Sequence, residues 1–430
     1  MSSSIAMFVI VMVLLCTGTY VQYTTTVTST TYVVPKMVHL PPVLPTVIPA
    51  ACKNVDFRWL GSDRRFWDGW VSKAMFMKRN GQFTRKNVRI QAGETICIAV
   101  LLGPIPAVAS NGLHYASSDS IVMTARGEKT QIPITLDQHP TQTNAYFAAV
   151  TFHLQDIYTL QTSVEYRSYF WEQPHFHQYL PNRFSSRNSL TVTQAAAEEE
   201  QAEANASASA NGQKCDLLHH PFQWKHVAAW VGDEQFVPPC YLDDTTDVLR
   251  QKVIHVWGHE HIRRNLQFLD GDSTCNDEDL GLPTTLLGGD TAIYFGEENS
   301  GQGVADIVLL GTGNEGWRQT PNEFAAAFTA SLNKLLNVYT GQELIVVKTN
   351  RYVDSFHAGV TAGKSLAFAN IIRSTLLEFN QTRVVLWDTH QIGVDQPCLV
   401  TPVENAMLLN IIQHYYRDNM HKEIKSRGFM

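Results

Sequence analysis

The second half of the chain alternates short, almost wholly apolar runs with segments of helical spacing, and this alternation limits the possible fold more than any other feature. VIHVW (Val253 to Trp257) leads into HIRRNLQFL, DIVLLG into PNEFAAAFTASLNKLLNVY, ELIVVKT into GKSLAFANIIRSTLLEF, and RVVLWD into PVENAMLLNIIQHYY, with TAIYFG as a further strand. A strand that is apolar on both faces has to be covered on both faces, so the alternation implies a parallel sheet between layers of helix. In sheets of this kind ligands and catalytic groups collect at the carboxyl ends of the strands. Residues 215–430 are therefore expected to form an α/β domain.

The first half reads differently. Over residues 51–180, runs such as VRIQA, TICIAVLL, SIVMTA and YFAAVTFHL are broken by Gly, Pro, Asn and Asp clusters, the pattern of an all-β sandwich with an immunoglobulin-like outline. Residues 181–214 include AAAEEEQAEANASASANGQK, a composition that cannot build a core and is expected to be a disordered linker. Residues 21–50 are rich in Thr and Pro and read as a stalk. Within residues 1–20 the apolar run from Ile5 to Cys16 is shorter than the ~20 residues of a spanning helix. A cleaved signal peptide is expected, and the alternative is a type II signal anchor, because no Lys or Arg precedes the run.

Export has consequences for the rest of the chain. The protein is expected to be secreted or to reside in the secretory pathway or at the cell surface, the alternative being a Golgi type II membrane protein. Cys52, Cys97, Cys215, Cys240, Cys275 and Cys398 are then expected to be disulfide-bonded, Cys52 with Cys97 and the other four among themselves. Asn205 and Asn380 head glycosylation triplets. The net charge of -7 comes from a mixed 17% of charged residues without a basic stripe, which argues against nucleic acid as a partner. No cofactor and no metal are expected: His255, His259 and His261 fall on a strand, a turn and a helix start and lack the HExxH spacing of a zinc helix.

Several blocks, in order, resemble the PC-esterase branch of the SGNH hydrolases, as found in the NXPE (neurexophilin and PC-esterase domain) family. Cys215 and then AAWVGDEQFVPPC, ending at Cys240, resemble that family's entry segment, and VIHVWGHEHIRRNL resembles its G-D-S-x-x-R-R/Q-N block. DIVLLGTGNEGW resembles its strand followed by Gly-Asn or Gly-His, and RVVLWD with the following loop and helix resembles its D-x-x-H region. The resemblance covers most of the chain from about Cys52, and it implies an SGNH-like α/β domain with a flavodoxin-like sheet behind an Ig/filamin-like sandwich. It also implies ester chemistry: a Ser attacks an acyl carbonyl, a His takes its proton, an Asp orients the His, and N–H donors receive the oxyanion.

Carried over position by position, that machinery is incomplete. Gly258 matches the Gly of the first block, but His259 stands where Asp belongs and Glu260 where the nucleophilic Ser belongs. Cys398 and Thr401 fall at the D-x-x-H positions when the last block is aligned on Pro402. Gly311, Gly313 and Asn314 survive as contacts for an oxyanion or a sugar hydroxyl, and Arg263, beside Arg264 at the helix start, is available to an anionic sugar. The domain is therefore expected to be a degenerate enzyme that binds carbohydrate or a glycoprotein. Two alternatives remain: an active O-acetyltransferase or acetylesterase using Ser273 of the literal GDS triplet or the Asp388/His390 pair, and a structural wall or cell-surface glycoprotein. Ser273 follows a helix end, where DGD is ordinary turn chemistry, and Asp388 at a strand end more often caps a loop.

Overall fold

The computed structural model describes residues 48–55, 73–102, 118–140, 145–169, 182–194, 214–222, 224, 229–231, 235–242, 245–258, 260–270, 285–286, 291–295, 304–311, 319, 321–351, 361–379, 381–393 and 397–426. All of them fall within one compact unit, Leu40–Met430; the other unit, Met1–His39, holds the expected leader and most of the stalk and lies outside the described residues. No helix among the described residues is long and apolar enough to cross a membrane.

In chain order the strands of the first half are β1 (Lys73–Phe76), β2 (Val88–Gln91), β3 (Glu94–Leu101), β4 (Ser118–Arg126), β5 (Thr130–Ile134), β6 (Asp137–Gln138), β7 (Ala145–Phe152), β8 (Asp156–Tyr169), β9 (Asn182–Ser185) and β10 (Leu190–Thr193). Two short strands follow, β11 (Ala229–Val231) and β12 (Gln235–Val237). They build a sheet ordered β1-β3-β7-β6 and a larger one ordered β12-β11-β5-β4-β8-β10-β2, with β9 on β8. Phe76, Ile98, Val100 and Phe152 from the first sheet share one core with Met123, Ile132, Tyr158 and Leu160 from the second. This is an all-β sandwich. The other face of the small sheet is also buried, because Cys52, in a short 3-10 turn, is bonded to Cys97 of β3 and packs with Met75, Met77 and Phe147. That double burial explains why TICIAVLL is apolar at nearly every position instead of alternating.

Two boundaries differ from expectation. The sandwich does not stop at residue 180, because β9 and β10 belong to its larger sheet and carry it to Thr193. LTVT alternates buried residues with half-buried or exposed ones, but a short run beside an Ala/Glu/Ser stretch is easily absorbed into a linker. Conversely, β11 and β12 lie beyond Cys215 and yet extend the same sheet, with Trp230 opposite Gln131 of β5.

The α/β domain contains β13 (Val253–Gly258), helix α1 (Glu260–Leu269), β14 (Thr285–Leu286), β15 (Thr291–Phe295), β16 (Ile307–Gly311), α2 (Pro321–Val338), β17 (Leu344–Lys348), α3 (Ala362–Phe379), β18 (Val384–Trp387) and α4 (Pro397–Ser426). Its sheet is ordered β14-β15-β13-β16-β17-β18, parallel except for the edge strand β14. Counting the parallel strands along the chain, the order is 2-1-3-4-5, one of the two common doubly wound arrangements. Alternate strand residues face opposite layers. Ile254, Leu309 and Val346 pack against Leu266 of α1 and Leu408 and Ile412 of α4. Val308, Ile345 and Val347 pack against Phe328 of α2 and Phe368 of α3 on the other side. The apolar runs are thus two-sided because the sheet is.

The α/β domain also docks on the sandwich through a buried polar cap. Glu165 of β8 accepts the hydroxyl of Ser120 at 2.6 Å and the backbone N–H of Ala362, at the start of α3, at 3.0 Å. Ser120 Oγ in turn accepts the N–H of Gly363 at 2.8 Å. A carboxylate placed against the first N–H groups of a helix satisfies donors that have no partner within the helix and suits its dipole.

Candidate functional site

The carboxyl ends of the strands meet in one register row, Gly258–Gly311–Lys348–Trp387. The chain leaves β13 toward β15 on one side and β16 on the other, so the crevice of a doubly wound sheet falls at Gly258 and Gly311. Gly258 has φ 109°, and a Cβ built there would collide with the carbonyl oxygen of Gly311. Only glycine allows both this backbone conformation and this approach. Helix α1 starts two residues later at Glu260, so its first N–H groups open at the same edge.

Next to the crevice, on Lys348, lies a buried polar network that joins β17, α1 and α4. Lys348 Nζ donates to Asn265 Oδ1 and to Glu404 Oε2, both at 2.8 Å. Arg351 grips the same carboxylate with two bonds, Nε to Oε1 at 2.9 Å and Nη2 to Oε2 at 2.6 Å, and Nη2 also reaches Thr401 Oγ1 at 3.0 Å. Asn265 Nδ2 donates to Glu404 Oε2 at 3.0 Å and to Asn405 Oδ1 at 2.9 Å. The Lys348 ammonium also lies 4.9 Å from the centre of the Trp387 ring. Arg351 Nη1 finds no acceptor among the described residues, so the network can donate one more hydrogen bond.

Burial opposes both charges, with opposite outcomes. Glu404 would be pushed up by burial, but Lys348 and Arg351 outweigh it and hold the carboxyl down to about 2. Lys348 is pulled down to about 7, chiefly by burial, with Arg351 repelling it and Glu404 only partly compensating. The stable species is a carboxylate clamped by a guanidinium, with a lysine beside it that gives up its proton easily.

A second carboxylate is locked in the same way. Asp388, just after β18, accepts Arg373 Nε at 2.9 Å and Nη2 at 2.8 Å, and Thr349 Oγ1 at 3.2 Å. The Asp388/His390 pair is therefore no exposed acid and base: Asp388 is 1% and His390 0% exposed. Nor does Asp388 cap the following turn with its side chain; it answers a cation on α3.

The other expected positions fall as follows. Thr401 is buried and its hydroxyl accepts from Arg351. Arg263 is exposed on α1 and Arg264 half-buried. His255 is a buried strand residue with Nδ1 2.7 Å from the Tyr339 hydroxyl. Cys52–Cys97 and Cys215–Cys240 are disulfides. His259, Ser273, Gly313, Asn314, Cys275, Asn205 and Asn380 lie outside the described residues, as do the side chains of Glu260, His261 and Cys398. The residues that sequence reasoning missed are Lys348, Arg351 and Glu404. The signal was available: LIVVK ends a strand buried on both sides with a lysine, which needs a counter-charge nearby.

Fold and crevice together define a doubly wound α/β domain joined to a β sandwich. No protein-family model and no curated protein matches the chain. Among solved structures, it is similar to a superoxide reductase (neelaredoxin) from Ignicoccus hospitalis T24K, with 9% identity and a TM-score of 0.18 over 28% of this chain and 80% of that one, a likeness that carries no argument about fold or function.

Proposed function

We infer that the chain is an exported glycoprotein whose α/β domain, SGNH-like and of the PC-esterase type, binds carbohydrate or a glycoprotein at the switch-point crevice without ester hydrolysis. The observation that carries this reading is the close approach of Gly258 to Gly311 at the topological switch point beside locked acids. Gly258 still makes its close approach to Gly311, while Asp388 and Glu404 are each clamped by an arginine. A general acid or base has to reach its substrate, and neither carboxylate is placed to do so. The position of a hydrolase nucleophile falls at Glu260, and an acyl-glutamate anhydride is a high-energy intermediate that suits ester chemistry poorly. Two disulfides fit an oxidising compartment.

The test is a glycan array probed with the full-length protein and with Glu260→Ala, each variant also being melted. If Glu260 receives a sugar hydroxyl, its loss weakens binding by about 1–3 kcal/mol and leaves the melting temperature nearly unchanged. Unchanged glycan binding with a large drop in melting temperature would assign Glu260 to the framework and remove the support for a binding crevice.

A further inference from the structure

Away from the crevice, the first turn of the α/β domain meets the last helix at a cluster of two histidines and two aspartates. Asp216 and His219 come from the turn after Cys215, and His414 and Asp418 lie one helical turn apart on α4. Asp216 Oδ1 is 3.3 Å from His414 Nδ1, and Asp216 Oδ2 is 2.9 Å from His219 Nδ1. One ligand atom from each of these three residues falls within 4.8 Å of the others. We propose that Asp216, His219 and His414 form a site for a divalent transition metal of the zinc class, which fastens the start of the α/β domain to its final helix.

Three observations support the site. First, zinc bound at about 2.0–2.1 Å to nitrogen and oxygen in a tetrahedron places its ligands about 3.3 Å apart; Asp216 Oδ1 lies 3.0 Å from His219 Nδ1 and 3.3 Å from His414 Nδ1, and the three ligand atoms all fall within 4.8 Å of one another. Second, the far nitrogen of His219, Nε2, is 3.2 Å from Asp418 Oδ2. A metal-bound imidazole characteristically donates its other N–H to a carboxylate, which fixes the tautomer and makes the ligating nitrogen more basic. A neutral His219 can donate to only one of its two aspartates. With the proton on Nε2 facing Asp418, the Nδ1 lone pair faces Asp216 and His414, and a cation between them resolves the contact. Third, the frame is already rigid. Asp216 Oδ1 accepts the backbone N–H of His219 at 3.2 Å, Asn410 of α4 brackets the turn through Leu217 N and the Cys215 carbonyl at 3.0 and 3.1 Å, and Cys215 is bonded to Cys240.

One group competes with the metal. Arg417 donates to His414 Nδ1 at 2.6 Å and so occupies the lone pair that a metal would take. Its side chain is exposed and can swing into solvent. Three protein ligands leave the fourth position to water, and the metal adds a coordinate link between the first turn and α4 to the hydrogen bonds that Asn410 already makes there.

The experiment uses full-length protein stripped with a chelator and titrated with Zn²⁺ by calorimetry, and with Co²⁺ by visible absorption, whose intense d–d bands report a tetrahedral site. The proposal expects one equivalent bound, a rise in melting temperature on adding Zn²⁺, and an affinity at least about ten-fold weaker in Asp418→Asn and lower still in His219→Ala. Arg417→Ala should bind more tightly than the natural protein, an effect that a merely structural role for this cluster would not produce. His219 is half exposed, so its replacement tests the site without removing the buried His414. Absence of saturable binding, or affinities equal in the natural protein, His219→Ala and Arg417→Ala, would overturn the proposal by placing any bound metal on other histidines.

Discussion

At the scale of single residues, Gly258 decides whether the crevice exists. Its φ of 109° lies in a region that side chains avoid, and a Cβ would strike the Gly311 carbonyl oxygen. In Gly258→Ala the backbone strain costs about 1–3 kcal/mol, and the collision forces β13 and β16 apart at their carboxyl edge. Denaturant unfolding should show a loss of at least about 2 kcal/mol. This residue was legible in the sequence, because a glycine between an apolar strand and a helix start reads as the turn of a strand-turn-helix corner. The fates of Asp388 and Thr401 were not. The sequence shows an acid at a strand end but not that Arg373, on the preceding helix, reaches it with two bonds.

At the scale of elements, the network on Glu404 joins β17, α1 and α4, and its charge balance sets the acid tolerance of the domain. The Glu404 carboxyl is depressed in the folded chain, so its stabilising contribution is complete above its ordinary value of 4.5 and is lost as the pH falls from there toward about 2. Glu404→Gln should remove that part of the acid dependence. At neutral pH it leaves the Arg351 charge buried without its partner, at a cost of about 3–5 kcal/mol, while Lys348, already pulled down to about 7, sheds its proton. Melting curves of the two proteins across this pH range check both statements. The elements themselves were largely legible: DIVLLG, ELIVVKT and RVVLWD are strands, and the segments after them are helices, because two-sided burial and helical spacing leave clear patterns. The network was not legible, since Lys348 and Glu404 are distant in sequence and only the parallel order of the sheet brings them together. The same holds for β10, whose few residues acquire meaning only beside β2 and β8.

At the scale of the whole molecule, sandwich and α/β domain are parts of one structure. β11 adds to the sandwich sheet after the expected boundary, and Glu165 satisfies the start of α3. The division into an early β half and a later α/β half was visible as a change of periodicity, but the stitching between them was not, because three-residue strands carry almost no pattern. The proposed reading is that this doubly wound α/β domain binds at its switch point while Asp388 and Glu404 serve structure. The most direct test is turnover of an activated acetyl ester, such as p-nitrophenyl acetate, by purified full-length protein. Hydrolysis is expected to be no faster than in buffer, with Ser273→Ala indistinguishable from the natural chain. Sustained turnover that Ser273→Ala abolishes, or that Asp388→Asn abolishes without unfolding the protein, would contradict it.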